Sequence, residues 1–331
     1  MILALETSCD DTCAAVLTRD GQLRSNVISS QGIHDRYGGV VPEVASRHHL
    51  ELLDAAVDDA LVRAGISLDD ITLVAVTRGP GLVGALLVGL SHAKGLAAAL
   101  QLPLAPVDHL HGHVAASALA DGAPEPPFLC LIASGGHTLL ARVDGGREAA
   151  VLGRTLDDAA GEAFDKGARM LGLPYPGGPA LEGLARDGDP KAFAFPVAEG
   201  VEGLDFSFAG LKTSLLYKVR DLGEAGAREH AADLAASYQH AIVEALARRC
   251  ERALQETGLR ALTVGGGVAA NGPLRARVEG LDAHVAIPAR ELCTDNAAMI
   301  GAAARAVDPL AFPRYLGLDA YPSGQSRWPG P

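Results

Sequence analysis

Phe128-Leu129-Cys130-Leu131-Ile132-Ala133-Ser134-Gly135-Gly136-His137-Thr138-Leu139-Leu140-Ala141-Arg142-Val143-Asp144-Gly145-Gly146 reads as an apolar strand, a glycine-bearing polar loop, a second apolar strand and an Asp-Gly hairpin turn. The same plan stands at the start of the chain. Ile2-Leu3-Ala4-Leu5-Glu6 is followed by the polar loop Thr7-Ser8-Cys9-Asp10-Asp11-Thr12, by apolar residues 13–17 and by an Asp20-Gly21 turn. Two β-loop-β entries of one design point to an internal duplication.

The two copies continue in parallel. Leu50, Leu53, Ala56, Val57, Ala60, Leu61 and Ala64 recur at helical spacing and stop at Gly65. A strand at 71–76, a Gly79-Pro80-Gly81 loop and a helix at 84–99 follow. In the second half a long helix over 231–256 ends near Gly258. It is followed by a strand at 261–264, a Gly265-Gly266-Gly267 loop and a helix after Asn271. This pattern predicts an α/β protein of two similar lobes with a ligand cleft between them. It is the duplicated plan of the actin-like, sugar-kinase and Hsp70 (RNase H-like) architectures, named here by analogy. The first lobe is expected over 1–107 plus about 297–331, and the second, with most nucleotide contacts, over 108–296. Segments 121–127 and 186–203 read as linkers, the second lying over the cleft, and 315–331 as an extended tail.

Composition bounds the function. At 331 residues, 48% hydrophobic and 21% charged, the chain can bury two ordinary cores. Aromatics are only 4%, so Ala, Leu and Val must fill them. The N-terminus has no basic region before its apolar residues, and the longest apolar run, near 81–90, is glycine-broken and short. Both predict a cytoplasmic protein without a membrane span. Five cysteines without a C-x-x-C pair read as reduced thiols. A net charge of −12 argues against a chain that coats nucleic acid by itself. Lys212, Lys218, Arg220, Arg248, Arg249 and Arg252 cluster along the sequence and are the candidate local docking edge.

His109-Leu110-His111-Gly112-His113 is the densest group of chemical residues. On a helix, positions 109 and 113 share a face, which suits two imidazoles on one metal, while His111 points elsewhere. The zinc-protease pattern requires Glu after the first His, and position 110 is Leu. Asp295 precedes an Ala-rich helix and reads either as a third ligand or as a helix cap. The loops Ser134-Gly135-Gly136 and Gly265–Gly267, the latter followed by Asn271, each leave backbone N–H groups accessible to phosphate. Residues 156–166 read as a helix start. Asp158, Glu162 and Asp165 would then share one face, either solvated or, for Asp165, binding ribose hydroxyls.

Taken together, Gly39–Glu43, Gly79–Leu82, the His109/His113 pair, Ser134–Thr138, Asp158–Lys166, Tyr175–Pro179, Asp205–Phe208, Gly266–Asn271 and Cys293–Asn296 closely resemble the tRNA N6-adenosine threonylcarbamoyltransferase family. The match holds in order from Glu6 to about Gly301. The resemblance implies transfer of a threonylcarbamoyl group from threonylcarbamoyl-AMP to N6 of the adenosine 3′ of the anticodon, in tRNAs reading codons that begin with A. It implies one divalent metal on His109, His113 and Asp295, with Fe2+ ahead of Zn2+ or Mn2+. Substrate contacts would come from Ile132, Ala133, Ser134, Gly135, Gly136, Asp165, Gly178, Glu182 and Asn271. Position 111, often Glu in such proteins, is His here. The implied partners are tRNA, an inactive actin-like paralogue and a small P-loop ATPase. For proton transfer the candidates are Asp10 and Asp11. The rival expectations are a metalloendopeptidase and a non-enzymatic actin-like ATP-binding regulator.

Overall fold

The computed structural model describes residues 1–145, 148–197 and 200–323. Gly146 of the expected turn, positions 198 and 199 of the second linker and 324–331 of the tail lie outside them. The first sheet is built from β1 (Ile2–Glu6), β2 (Asp11–Leu17), β3 (Leu23–Ser30), β4 (Leu73–Gly79) and β5 (Leu104–Asp108), in the order β3-β2-β1-β4-β5. Helix α1 (Pro42–Ala64) connects β3 to β4, and α2 (Val83–Ala99) connects β4 to β5. Helix α3 (His109–Ala115) follows directly. The second sheet comprises β6 (Phe128–Ala133), β7 (Thr138–Gly145), β8 (Glu148–Arg154), β9 (Ala261–Gly265) and β10 (His284–Ala286), in the order β10-β9-β6-β7-β8.

Read from β8, the second order repeats the first: third strand, second, first, fourth, fifth. The pairing senses repeat as well. The opening hairpins β1/β2 and β6/β7 are antiparallel. The pairs β1/β4, β4/β5, β6/β9 and β9/β10 are parallel and require crossovers. The duplication expected from the two hairpin entries is therefore present at the level of topology. The second copy differs by an insertion before its long helix: α4 (Ala160–Met170), α5 (Gly177–Ala185) and α6 (Ala209–Glu229) precede α7 (Ala231–Thr257). Helix α8 (Gly272–Glu279) joins β9 to β10, and α9 (Ala297–Ala304) comes after the second sheet.

Strand β1 is buried along its whole length, as expected of a central strand covered on both faces. Leu3 and Leu5 share a core with Leu53, Ala56, Val57 and Ala60 of α1 and Leu90 and Ala93 of α2. Each such leucine contributes about 1.5–3 kcal/mol by leaving water. Helix α9 lies against the sheet through Gly301, where a Cβ would come 2.2 Å from Leu17 Cδ1 and 3.3 Å from Ala4 Cβ. The helix stops are where the glycines predict them, with Gly65 at φ 68° and Gly258 at φ 70°.

By contacts the chain forms two units. The first is Met1–Ala123, Gly145–Ala149 and Asp295–Pro331; the second is Pro124–Asp144 and Ala150–Thr294. The boundary after β5 thus lies at 123/124 rather than 107/108. Helix α3 belongs to the first unit because it packs on α9: a Cβ on Gly112 would come 2.8 Å from Ile300 Cδ1. The expected helix start at 156 also moves. Asp157 Oδ1 accepts N–H donors from Phe208 (2.8 Å) and Ala209 (3.2 Å), and Thr155 bridges Phe206. These bonds keep the segment extended, and α4 begins only at Ala160. Asp158 therefore precedes the helix, and Lys166 rather than helical spacing holds it beside Glu162. Among the described residues no helix is long and apolar enough to cross a membrane.

Candidate metal centre and nucleotide-binding residues

Strand β5 ends at Asp108, whose Oδ1 accepts N–H donors from Leu110 (2.9 Å) and His111 (3.4 Å) and so starts α3. One turn separates His109 from His113, both buried. The glycine between them, Gly112, admits α9 closely enough for Asp295, two residues before that helix, to reach the pair. His113 Nε2 is 3.3 Å and His109 Nε2 3.6 Å from Asp295 Oδ1. Each residue offers one ligand atom, all within 4.8 Å of one another. His111 is buried but is not in this group. Asp295 is not the cap of α9; that role falls to Asn296, whose Oδ1 accepts from Met299 N at 3.0 Å.

Glu6 completes the centre and was missed in the sequence. Its signal was an acid closing an otherwise apolar buried strand. Glu6 Oε2 lies 3.0 Å from His109 Nδ1 and accepts from Thr77 Oγ1 at 2.6 Å; Ser8 Oγ is 3.2 Å from the same ring nitrogen. A carboxylate only accepts, so Nδ1 keeps a proton, and Nε2, on the Asp295 side, is the nitrogen left to hold a metal that displaces its proton, the carboxylate–histidine arrangement that orients metal ligands. Burial opposes an imidazolium at His109, but the Asp295 and Glu6 carboxylates outweigh it and raise the group to about 9. The site favours a positive charge. His113 supplies a further test of fit. Its Nε2 is within ion-pair reach of Asp295 but off hydrogen-bond geometry, so both ring nitrogens are sealed without a hydrogen-bond partner. An unpaired buried ring nitrogen costs about 1–3 kcal/mol, a cost that a bound cation relieves. Two imidazoles and one carboxylate suit Fe2+, Zn2+ or Mn2+.

In the same unit, Asp11 opens β2. Burial raises its carboxyl to about 7; the Ser30 hydrogen bond opposes this, and Asp295, Asp10 and Glu6 add to it.

The second unit holds the glycine-bearing loops. Ser134 N donates to His137 O (2.8 Å) and His137 N to Ser134 Oγ (3.1 Å), closing a tight turn. Gly135 and Gly136 have open space where a Cβ would stand. Their N–H groups have no partner among the described residues. Ile132 and Ala133 are fully buried in β6, Ile132 between Leu139 and Gly265, so neither side chain faces a ligand. Gly161 of α4 packs on the turn, its N–H donating to Ser134 O (3.1 Å). Asp165 Oδ1 accepts from Gly177 N (2.8 Å), fixing the start of α5 beside Gly178. Gly266 has φ 87° and ψ 161°, and a Cβ there would lie 2.4 Å from Ala133 O. That combination is open only to glycine, and Gly266→Ala is expected to cost at least about 2 kcal/mol. A urea melt reads it, and an unchanged midpoint would refute the steric account.

Asn271 caps α8 through Oδ1 and donates from Nδ2 to Glu182 and Gln239. Gln239 is the second residue missed from sequence; a lone amide in the apolar run of α7 was its only signal. The residues of the basic cluster have partners within the second unit, and Arg248 and Arg252 remain about half exposed. Lys212 pairs with Asp158, Arg248 with Glu244 and Arg252 with Glu256. Arg249 donates to Asp205 O and Val201 O. Lys218 lies over the Phe193 ring and Arg220 over Tyr217. The carbonyl contacts of Arg249, with that of Arg252 to Gly203 O, tie α7 to the 201–205 segment.

Comparison with known proteins places this geometry. Among curated relatives, tRNA N6-adenosine threonylcarbamoyltransferase of Syntrophotalea carbinolica is 49% identical over 340 aligned positions, covering 100% of this chain and 99% of the relative. The protein of that name from Anaeromyxobacter sp. is 52% identical, over 91% and 92% of the two chains. Among solved structures, T. kodakarensis HypF matches 92% of this chain and 46% of its own, with a TM-score of 0.61 and 17% identity. The Acidaminococcus fermentans (R)-2-hydroxyglutaryl-CoA dehydratase component A matches 92% and 97%, with a TM-score of 0.55 and 14% identity. At such identities these two speak for the duplicated actin-like fold alone. The family model of tRNA N6-adenosine threonylcarbamoyltransferase matches residues 22–302, and with relatives this similar over nearly their full length, the chain belongs to that family and is a transferase of tRNA modification.

Proposed function

We propose that this transferase moves a threonylcarbamoyl group from threonylcarbamoyl-AMP to N6 of the adenosine 3′ of the anticodon, in tRNAs reading codons that begin with A, using a divalent metal on His109, His113 and Asp295. The observation that carries the metal-dependent reading is the sealed His113 Nε2, without a hydrogen-bond partner, beside Asp295 and a His109 committed to Glu6. A divalent ion there, Fe2+ ahead of Zn2+ or Mn2+, supplies Lewis-acid stabilisation of charge on the carbonyl or phosphate oxygens. The N–H groups of Gly135 and Gly136 receive anionic oxygen, a preorganised electrostatic contribution. Asp165 and Glu182 accept from ribose hydroxyls, with Gly178 beside them. Because AMP is already a good leaving group in a mixed anhydride, the protein's main work is to position a weakly nucleophilic aromatic amine. Asp11, raised to about 7, suits the role of proton acceptor at neutral pH.

Glu6 uses its oxygens on His109, Thr77 and Ser8 N–H, which removes it as the base a metalloendopeptidase would need. For partners, a groove of about 390 Å³ between α1 and α2, lined by Leu50, Leu53, Leu87 and Val88 among others, suits the actin-like paralogue. Leu50 is 74% exposed there. The small P-loop ATPase and the cytoplasmic setting belong to the same proposal. The test is transfer of radiolabelled threonine, as threonylcarbamoyl-AMP, to unmodified tRNA with both partner proteins present and a peptidase substrate alongside. Label is expected on tRNA with the peptide intact. Cleaved peptide and unlabelled tRNA would sink the proposal.

A further inference from the structure

In the second unit, backbone donors fix the orientation of two buried amides. Leu274 N–H donates to Asn271 Oδ1 at 3.0 Å, so that atom is the oxygen. Asn271 Nδ2 then faces Glu182 Oε2 at 3.1 Å and Gln239 Oε1 at 2.8 Å, and both of its protons are engaged. Glu182 can only accept, and its other oxygen takes Gly272 N–H at 3.2 Å. The atom of Gln239 that meets Asn271 must therefore be its carbonyl oxygen. Its amino group is turned the other way. Gln239 is only 6% exposed, and among the described residues nothing accepts from that amino group.

That amino group is not among the sealed polar atoms of the chain, so it opens to solvent, where a ligand acceptor can reach it. Asn271, by contrast, has no donor left for a ligand. Its chemistry is that of a clamp that holds Glu182 and Gln239 at fixed angles. The network so assembled presents one acceptor, Glu182, and one donor, Gln239. On an adenine nucleotide the ribose hydroxyls match the acceptor. The phosphate oxygens match the free N–H groups of Gly135 and Gly136. The ring nitrogens of the base are the acceptors that remain.

We propose that Gln239 is a specificity-determining residue of the nucleotide site, donating from its amino group to a ring nitrogen of adenine while its carbonyl locks the Asn271–Glu182 pair. This rests on the nucleotide-binding reading of the second unit given above. Asn271 then acts on the nucleotide through its neighbours rather than by touching the base.

The test is calorimetric binding of AMP and of its 1-deaza, 3-deaza and 7-deaza analogues, each lacking one ring acceptor, to the full chain and to Gln239→Met. One analogue is expected to bind the wild type about 3- to 10-fold more weakly than AMP, the range of a neutral hydrogen bond. In Gln239→Met that penalty should vanish, and AMP itself should weaken by a similar factor. Gln239→Glu, which still offers Asn271 an acceptor, should keep the wild-type melting profile and also lose the penalty; it carries the test if the Met variant does not fold. Equal binding of all four ligands by the wild type, or a penalty that survives in the variants, would overturn the inference. Absence of AMP binding by the wild type would instead overturn the nucleotide reading, and the inference with it.

Discussion

His109→Ala and His113→Ala are each expected to abolish stoichiometric metal and to lower transfer to tRNA by more than about 100-fold, whereas His111→Ala keeps both. Loss of either imidazole leaves two ligands where three converge. Removal even of an outer-shell partner typically costs about 10–100-fold in metal affinity, and a direct ligand should cost more. Glu6→Gln probes that outer shell. It keeps the shape but removes the charge that holds the His109 proton on Nδ1, so a loss within the 10–100-fold range is expected. Elemental analysis after dialysis, with circular dichroism to verify folding, decides the matter. Equal metal loss from His111→Ala, or retained metal in both alanine variants, would refute the assignment of ligands.

Asp11→Asn is expected to abolish most activity and at the same time to stabilise the metal-free protein above pH 7. The carboxyl is raised from 3.8 to about 7, first by burial and then by Asp295, Asp10 and Glu6. The folded state thus holds this proton more tightly than the unfolded chain. Stability from this group is fully present below the unfolded value and is lost as pH rises toward 7. Above pH 7 the folded protein carries a buried, repelled carboxylate that asparagine lacks. A carboxyl held at about 7 instead of 3.8 sets a ceiling of about 4 kcal/mol, and partial exposure with relaxation reduces this to about 1–3 kcal/mol. Thermal melts at pH 8 should show the variant several degrees more stable, with no difference at pH 4. If Asp11 also accepts the proton from the reacting amine, kcat should fall by ~10²–10⁴. An equal melting shift at both pH values would refute the electrostatic account, and an unchanged kcat would remove Asp11 from the chemistry.

Local signals carried much of this molecule. The strands β1 and β6 lie where the apolar runs ended, because a run bounded by polar loop residues leaves little choice of register. Gly65 and Gly258 stop their helices because few other residues adopt a left-handed backbone without strain. The spacing of His109 and His113 placed them on one face for the same local reason. The region before Ala160 was misread because periodicity cannot show that Asp157 is engaged by backbone donors fifty residues later. Clustering of the basic residues of α6 and α7 likewise does not tell which cations already meet carboxylates and carbonyls of their own chain.

By itself the sequence determined the duplication, the two hairpin entries and the helical pair of imidazoles, since each depends on periodicity and turn chemistry within a few residues. The tertiary structure alone decided that Asp295 is freed from capping by Asn296, that Glu6 holds the His109 proton, and that Gln239 turns a free amino group away from Asn271. These are meetings of side chains from distant segments. Burial and hydrogen-bond geometry, which a linear pattern does not encode, determine which atom faces which.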